Sequence, residues 1–320
     1  VTPERRGHPP ALAITGATTS GKTEVALEVA QRLRGEIISM DSRQLYRGMD
    51  IGTDTATRDA RSGVPHHGLD LVDPDARYSA GQFARDARRW IGEIHGRGHI
   101  PILAGGTGFF LRALIEPVFQ EPEMDSGQVE RLRAALDQIE LRELERWVAV
   151  LDPDRAEVAI GGGRQRVTRT LEVALLTGRP LSHWHAVRAP DGDPVPCLVV
   201  VLDLDRAELD RRINARVDRM IERGLVQEVQ TLLDQGYGPD DPGMTGTGYR
   251  EIIQVIRGTR SLEDALDEMK RQTRRYARRQ LTWFRHQLPE DAVWLAATLT
   301  PQQRVEQIVH LWNELSEDLR

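Results

Sequence analysis

The chain has 320 residues, enough for two domains or for one domain enlarged by an insertion. With 39% hydrophobic and 29% charged residues it can bury a sizeable core, which excludes disorder along its whole length. Lys plus Arg number 43 against 49 Asp plus Glu, a net charge of −6; a histone-like polycation is excluded, while a local basic face is not.

A single cysteine, Cys197, has no partner for an internal disulfide and sits in an apolar run, which points to a reducing, cytoplasmic setting. No apolar run approaches the roughly 20 residues of a membrane-spanning helix, so no membrane partner is expected. Val1 to Pro10 carries arginines with no apolar segment behind them and reads as a tail rather than a signal peptide.

Along the chain, Ala11 to Thr15 predicts a strand that ends at glycine and leads into a helix through Leu33. Glu36 to Met40 predicts a second strand, expected beside the first and ending at Asp41. Gln82 to His95 has the spacing of an amphipathic helix, and His99 to Ala104 gives a third strand that stops at Gly105-Gly106. Strands alternating with helices imply an α/β fold with a parallel sheet, whose ligands sit at the carboxyl ends of the strands. From Ser126 to Leu176 the pattern turns helical, between loop-like stretches at Glu121 to Gly127 and Ala189 to Pro196. This predicts a helical insertion over 121–196 in a core formed by 11–120 and 197–320. Cys197 to Asp203 resumes the sheet. Helices follow over 206–224, 225–235 and 261–286, then a strand over 292–296 and a last helix over 301–318.

The sharpest chemical signal is Gly16-Ala17-Thr18-Thr19-Ser20-Gly21-Lys22-Thr23, a full GxxxxGK[ST] between a strand and a helix. Backbone N–H groups of such a P-loop cradle a di- or triphosphate. Lys22 neutralises phosphate charge, and the Thr23 hydroxyl can ligate Mg²⁺. Asp41, at the next strand end, can hold Mg²⁺, act as a base, or simply cap a turn. Gly105-Gly106-Thr107-Gly108 lets a backbone approach a ligand closely, or forms a plain tight turn. The segment Lys270 to Arg285 carries Arg271, Arg274, Arg275, Arg278, Arg279 and Arg285 without an acid. Arg271, Arg274, Arg275 and Arg278 fall at i, i+3, i+4 and i+7, one helical face that suits either a polyanion or solvent. His66-His67 has no third ligand at metal spacing. From these residues alone the chain is a P-loop α/β protein that handles a phosphorylated small molecule. A small-molecule kinase would be the default, although a kinase does not require the basic stripe.

Read together, these stretches resemble the bacterial tRNA dimethylallyltransferase (tRNA isopentenyltransferase) family. The resemblance runs through GATTSGKT at Gly16, DSRQLYRGMDIGT at Asp41, GVPHHGLDLVDP at Gly63 and GGTGFFLRAL at Gly105. It continues through QRVTRTLEVALLTGRPLS at Gln165, RINARVDRMIERGLVQEV at Arg212, GTGYREI at Gly246 and TRRYARRQLTWFR at Thr273. The chain departs from the family's usual pattern at Ile160 to Arg164, at Phe109-Phe110 and at Thr53 to Thr57.

The resemblance implies transfer of a dimethylallyl group from dimethylallyl diphosphate to the N6 amine of the adenine just 3′ of the anticodon. The P-loop would then hold the donor's diphosphate, with Mg²⁺ on Thr23. It makes Asp41 the base, Thr107 an orienting group and Arg216 a stabiliser of the leaving pyrophosphate. It assigns the anticodon stem-loop of tRNA to Asp41, Ser42, Arg43 and Gln44, to Gln165, Arg166 and Arg169 of the insertion, and to Arg274, Arg275, Arg278, Arg279 and Arg285. A cytoplasmic monomer is expected. The rival classes are an ATP-dependent small-molecule kinase and a non-catalytic P-loop RNA-binding module.

Overall fold

The computed structural model describes residues 10–57, 59, 61, 63–117, 119, 122–187 and 189–318. The chain forms two compact units, Val1–Pro117 with Asp193–Arg320, and Val118–Gly192.

The first unit is built on six parallel strands. β1 (Ala11–Gly16) leads into α1 (Lys22–Leu33), and β2 (Gly35–Ser39) is followed by the two-residue β3 (His66–His67). Next come α2 (Ala80–Gly96), β4 (Ile100–Ala104) and α3 (Gly108–Ile115). The sheet order is β3-β2-β4-β1, completed by two later strands on the far side of β1. This corrects the expectation that the strand before Asp41 lies beside the P-loop strand. β4 is inserted between them, pairing Ile102 with Leu12 on one side and with Ile37 on the other. The later connection through α2 fills the gap that the first one leaves, as parallel strands joined by helical crossovers allow.

The second unit is helical, as the sequence pattern from Ser126 to Leu176 requires. It contains α4 (Ser126–Asp137), α5 (Leu141–Leu151), a 3-10 turn at Pro153–Arg155, α6 (Ala156–Gly161), α7 (Arg164–Thr177) and α8 (Leu181–Val187). Leu136, Leu144, Val148, Val167 and Leu171 form its core. The glycine run at Gly161 to Gly163 joins α6 to α7, and Arg164 donates to the carbonyls of Leu136 and Ile139 at the end of α4.

The chain then returns to the sheet with β5 (Cys197–Leu202), followed by α9 (Arg206–Glu222), α10 (Leu225–Asp234), α11 (Tyr249–Ile256) and α12 (Leu262–Gln287). β6 (Val293–Leu295) and α13 (Pro301–Asp318) end it. The short helices α3, α8 and α11 were not anticipated, since two turns give too few residues for a 3.6-residue period to emerge.

Strands buried on both faces alternate between two apolar clusters. Leu12 and Ile14 meet Val25, Val29, Ile308 and Trp312 of α1 and α13. Ala11 and Ala13 turn to the opposite cluster, where α2, α3 and α9 to α12 supply Phe83, Ile91, Phe110, Val217, Ile252 and Met269.

At the amino end of β2, away from the P-loop, Glu36 is only 2% exposed. Its carboxylate accepts from Arg97 Nε and Nη2 at 2.8 and 2.7 Å, from His67 Nε2 at 2.7 Å and from His99 Nδ1 at 2.8 Å. The Arg97 hydrogen bonds outweigh burial and hold its pKa at about 2, against an ordinary 4.5. A carboxylate with a depressed folded-state pKa stabilises above its unfolded value, and the contribution fades as pH falls from 4.5 toward 2. Glu36→Gln is therefore expected to lose about 1–3 kcal/mol at pH 7. Thermal melts from pH 7 down to pH 3 should show its deficit against the parent closing as acid is added.

Candidate active site at the strand ends

Three strand ends build the site: the loops after β1, β2 and β4. After Gly16 the chain turns through Thr19 at φ 65° and Gly21 at φ 86° before α1 begins at Lys22. A β-branched residue at such a φ is strained, and the Thr19 hydroxyl is buried with no hydrogen bond among the described residues. Strain and an orphaned polar atom gathered on one loop are features that functional sites retain. Ala17 and Ser20 are buried. Lys22 Nζ donates to Ala17 O at 2.6 Å and to Ser20 Oγ at 3.5 Å. Burial pushes its pKa down to about 8, the Arg216 charge adds to the drop, and Asp41 opposes it.

The loops after β2 and β4 are fused. Thr15 Oγ1 donates to Gly105 O at 2.8 Å, and Met40 N donates to Ala104 O at 2.8 Å. Gly105 lies so close to β2 that a Cβ there would meet Met40 O at 2.0 Å, an approach that no other residue permits. The Thr107 hydroxyl accepts from Ser42 N at 2.9 Å and donates to Ser42 Oγ at 3.3 Å. Asp41 Oδ1 accepts from Arg43 N at 2.9 Å, a turn that holds the carboxylate within electrostatic range of Lys22.

Helix α12 closes this junction with residues one and two turns apart. Gln280, 7% exposed, accepts from Thr18 N at 2.9 Å through Oε1 and donates to Gly106 O at 2.7 Å through Nε2. The Trp283 ring fills the space over Gly108 and lies 5.5 Å from the Phe109 ring. Tyr276 has a hydroxyl pushed up to about 12 by burial and by the charge of Asp41.

Helix α9 adds Arg216, whose Nη1 donates to Thr18 Oγ1 and whose Nη2 donates to Thr53 O at 3.1 Å. Its Nε faces Asp54 Oδ2 at 3.3 Å, and Arg223 holds the other oxygen of Asp54 at 3.0 Å. The loop that presents Thr53 and Asp54 is itself held by Glu228. That carboxylate accepts from Asp50 N, Ile51 N and Gly52 N at 2.9, 2.6 and 3.0 Å, and from the Tyr249 hydroxyl at 2.7 Å. Arg304, 4% exposed, donates to Ser20 O at 3.4 Å and Asp203 O at 2.8 Å, tying α13 to the P-loop. Sequence reasoning missed Asp54, Glu228, Tyr249, Gln280 and Arg304. Glu228, Tyr249 and Gln280 lie inside recognised motifs, Asp54 lies in the Thr53 to Thr57 run that departs from the family pattern, and Arg304 carries no local signal.

A family model described as IPP transferase matches residues 44–287, and one described as isopentenyl transferase matches residues 10–65. The chain belongs to the IPP transferase family. A tRNA dimethylallyltransferase of Thermomicrobium roseum is 48% identical over 86% of this chain and 83% of its own length. One from Pelotomaculum thermopropionicum is 44% identical over 86% and 88%. Among solved structures, the tRNA isopentenylpyrophosphate transferase of Bacillus halodurans superposes with a TM-score of 0.71 at 35% identity, covering 97% of each chain. A eukaryotic dimethylallyltransferase solved acting on tRNA gives a TM-score of 0.82 at 27% identity, over 97% of this chain and 80% of its own. The P-loop-like α/β core is thus that of the IPP transferases.

The basic residues divide. Lys270 pairs with Asp218 at 2.7 Å, Arg274 donates to Asn214 at 2.7 Å, and Arg278 faces Asp210 at 3.6 Å. These three contacts, each one turn apart, form a ladder between α12 and α9. Arg271 pairs with Glu268. The expected single face of Arg271, Arg274, Arg275 and Arg278 is therefore corrected, because neighbouring acids and an amide outside the segment already occupy part of it. Arg275, Arg279 and Arg285 stay exposed, with no ion pair among the described residues. The Arg43 guanidinium binds the carbonyls of Pro242 and Gly243, and Gln44 accepts from Ser39 Oγ at 2.9 Å. Gln165, Arg166 and Arg169 belong to the second unit, on α7. There Gln165 and Arg166 are exposed, while Arg169 and Arg133 pair with Glu172, which is wholly buried.

Lys22 gives this IPP transferase a pH signature. An ammonium with a pKa near 8 loses its charge above that pH, and its hold on phosphate goes with it. Affinity for inorganic pyrophosphate, measured by calorimetry with Mg²⁺ from pH 6.5 to 9.5, should be flat below about 8. Above that it should weaken by up to about tenfold per pH unit. Lys22→Arg should remove the inflection, because a guanidinium stays charged throughout.

Proposed function

We propose that this chain transfers the dimethylallyl group of dimethylallyl diphosphate to the N6 amine of the adenine just 3′ of the anticodon in tRNA. The carrying observation is the convergence, on fused strand ends, of an anion cradle with a carboxylate and an oriented hydroxyl. A reaction that expels a diphosphate while taking a proton from a nucleophile needs both halves within a few ångströms. The names of the relatives point to tRNA as the acceptor and to dimethylallyl as the group transferred.

In this reading the P-loop amides, Lys22 and Arg216 hold the donor's diphosphate and meet the charge that grows as its C–O bond breaks. The amine nitrogen bonds to the released carbon, and pyrophosphate leaves with the electron pair. Asp41 takes the proton from N6, which the delocalised lone pair makes a poor nucleophile on its own. Thr107, aligned by Ser42, orients the amine. Mg²⁺ fits the cradle because Thr23 opens α1 beside Lys22 with its hydroxyl uncommitted among the described residues, and such an ion takes most ligands from phosphate and water. Bound there, it would supply charge neutralisation to the leaving group. The adenine reaches the site by leaving its stack. The anticodon stem-loop is gripped through phosphates by Arg275, Arg279 and Arg285, with Gln165 and Arg166 contributing from the insertion. The enzyme works as a cytoplasmic monomer.

Incubation with unmodified tRNA, Mg²⁺ and labelled dimethylallyl diphosphate should put the label in RNA as N6-(dimethylallyl)adenosine. Label absent from RNA, with ATP turned over instead, would replace this reading by a kinase. Asp41→Asn keeps the shape but cannot take the proton, so single-turnover transfer with both substrates saturating should fall about 10²–10⁴-fold. Affinities for tRNA and pyrophosphate should change by only a few-fold. A loss of pyrophosphate affinity in step with rate, restored by high Mg²⁺, would make Asp41 a metal ligand instead.

The split among the arginines gives a second test. Reversing charge at Arg275 and Arg279 should weaken tRNA binding and lower the salt slope by about two, one for each lost phosphate contact. Thermal stability should hold. Reversal at Arg274 and Arg278 should instead lower the melting temperature, because it removes the bond to Asn214 and sets a like charge against Asp210.

A further inference from the structure

We propose that Gln280 is a positioning residue that sets the separation between the diphosphate cradle and the group that accepts the proton. The inference rests on the assignment of donor and acceptor sides given above, and it concerns the spacing of those two sides rather than their identity.

The geometry has four parts. The Gln280 side chain is 7% exposed and spends its whole amide on two backbone groups from different loops. Oε1 accepts the Thr18 N–H at 2.9 Å, in the loop after β1, and Nε2 donates to Gly106 O at 2.7 Å, in the loop after β4. Gly106 precedes Thr107, whose hydroxyl accepts the Ser42 N–H, and Ser42 follows Asp41. Lastly, a Cβ on Gly106 would stand 2.4 Å from Gln280 Nε2, so the amide bears directly on the backbone. A one-residue bridge thus runs from the cradle to the loop that orients Asp41.

Only an amide tip can make both bonds. A carboxylate in its place would keep the Thr18 bond and turn repulsion on Gly106 O, and an ammonium would do the reverse. Displacement at carbon requires the amine, the carbon and the leaving oxygen in line. A misplacement of about 1 Å can cost about 10²-fold in rate. Pyrophosphate and tRNA each engage one side of the bridge, so their affinities do not depend on the spacing. The chemical step does.

The test is a cycle of Gln280→Ala, Gly106→Ala and the double variant, with Gln280→Glu as a near-isosteric control that keeps the Thr18 bond. Each is assayed by single-turnover transfer of labelled dimethylallyl to unmodified tRNA at saturating substrates. Inorganic pyrophosphate and tRNA dissociation constants are measured in parallel. Gln280→Ala and Gln280→Glu are expected to slow transfer about 10- to 100-fold, with both dissociation constants within about threefold of the parent. The double variant should be no slower than either single one, since Gly106→Ala acts by displacing the same amide.

Rates within threefold of the parent for both Gln280 variants overturn the proposal. So do additive losses in the double variant, or a pyrophosphate affinity that falls in step with the rate. A parent that binds pyrophosphate but prenylates no tRNA overturns the function reading and the proposal together. An active parent with unimpaired Gln280 variants overturns the proposal alone.

Discussion

Close backbone contact between the ends of β2 and β4 is the constraint on which the site depends. Gly105 is pressed against Met40 so tightly that a methyl group would land 2.0 Å from a carbonyl oxygen. With no side chains between them, Thr107 can reach the Ser42 amide, so the turn at Asp41 is held both within its own loop, by the Arg43 amide, and from the loop after β4. The sheet order makes this possible. β4 lies between β1 and β2, so its carboxyl end is the one place from which both the P-loop and Asp41 are adjacent. Ligands of open parallel sheets gather where strand order changes in this way.

The second theme is how a small volume holds so many charges. Lys22, Arg216, Arg223 and Arg304 all stand at or behind the P-loop, where mutual repulsion and lost hydration would drive them apart. Asp54 offsets two of them, pairing Arg216 with one oxygen and Arg223 with the other. Arg304 is paired instead with carbonyls, and burial lowers its pKa. Lys22 is left with a carbonyl, a hydroxyl and the Asp41 charge, and burial lowers its pKa to about 8.

Charge is treated differently along α12. Lys270, Arg274 and Arg278 are spent on α9, where the ladder fixes the register that puts Gln280 over the P-loop and Trp283 over Gly108. The same helix therefore serves two ends. Its inner face locates the loops after β1 and β4, and its outer face leaves Arg275, Arg279 and Arg285 exposed, with no ion pair among the described residues. In the insertion, Arg169 is likewise committed to the buried Glu172, whereas Arg166 is not.

Local sequence determined the elements that are long or strongly patterned. These are the P-loop and its flanking strand and helix, the strand at Cys197, the helical insertion, and the long helix that ends the basic segment. Each is specified by residues within a few turns of one another: glycines where the backbone must bend, apolar period where it must be buried. The P-loop itself was legible for the same reason, since its glycines, lysine and threonine are consecutive. Tertiary structure alone decided the sheet order, because the local pattern of a parallel strand does not say which strands it will pair with. It also decided which cations remain free, for the partners of Arg274, Arg278 and Arg169 lie on other turns or other helices. Gln280, Glu228 and Arg304 act across 174 or more residues, on Gly106, on the Asp50 to Gly52 amides and on Ser20. A side chain that works on distant backbone leaves no periodicity behind it, and only the folded chain brings the two together.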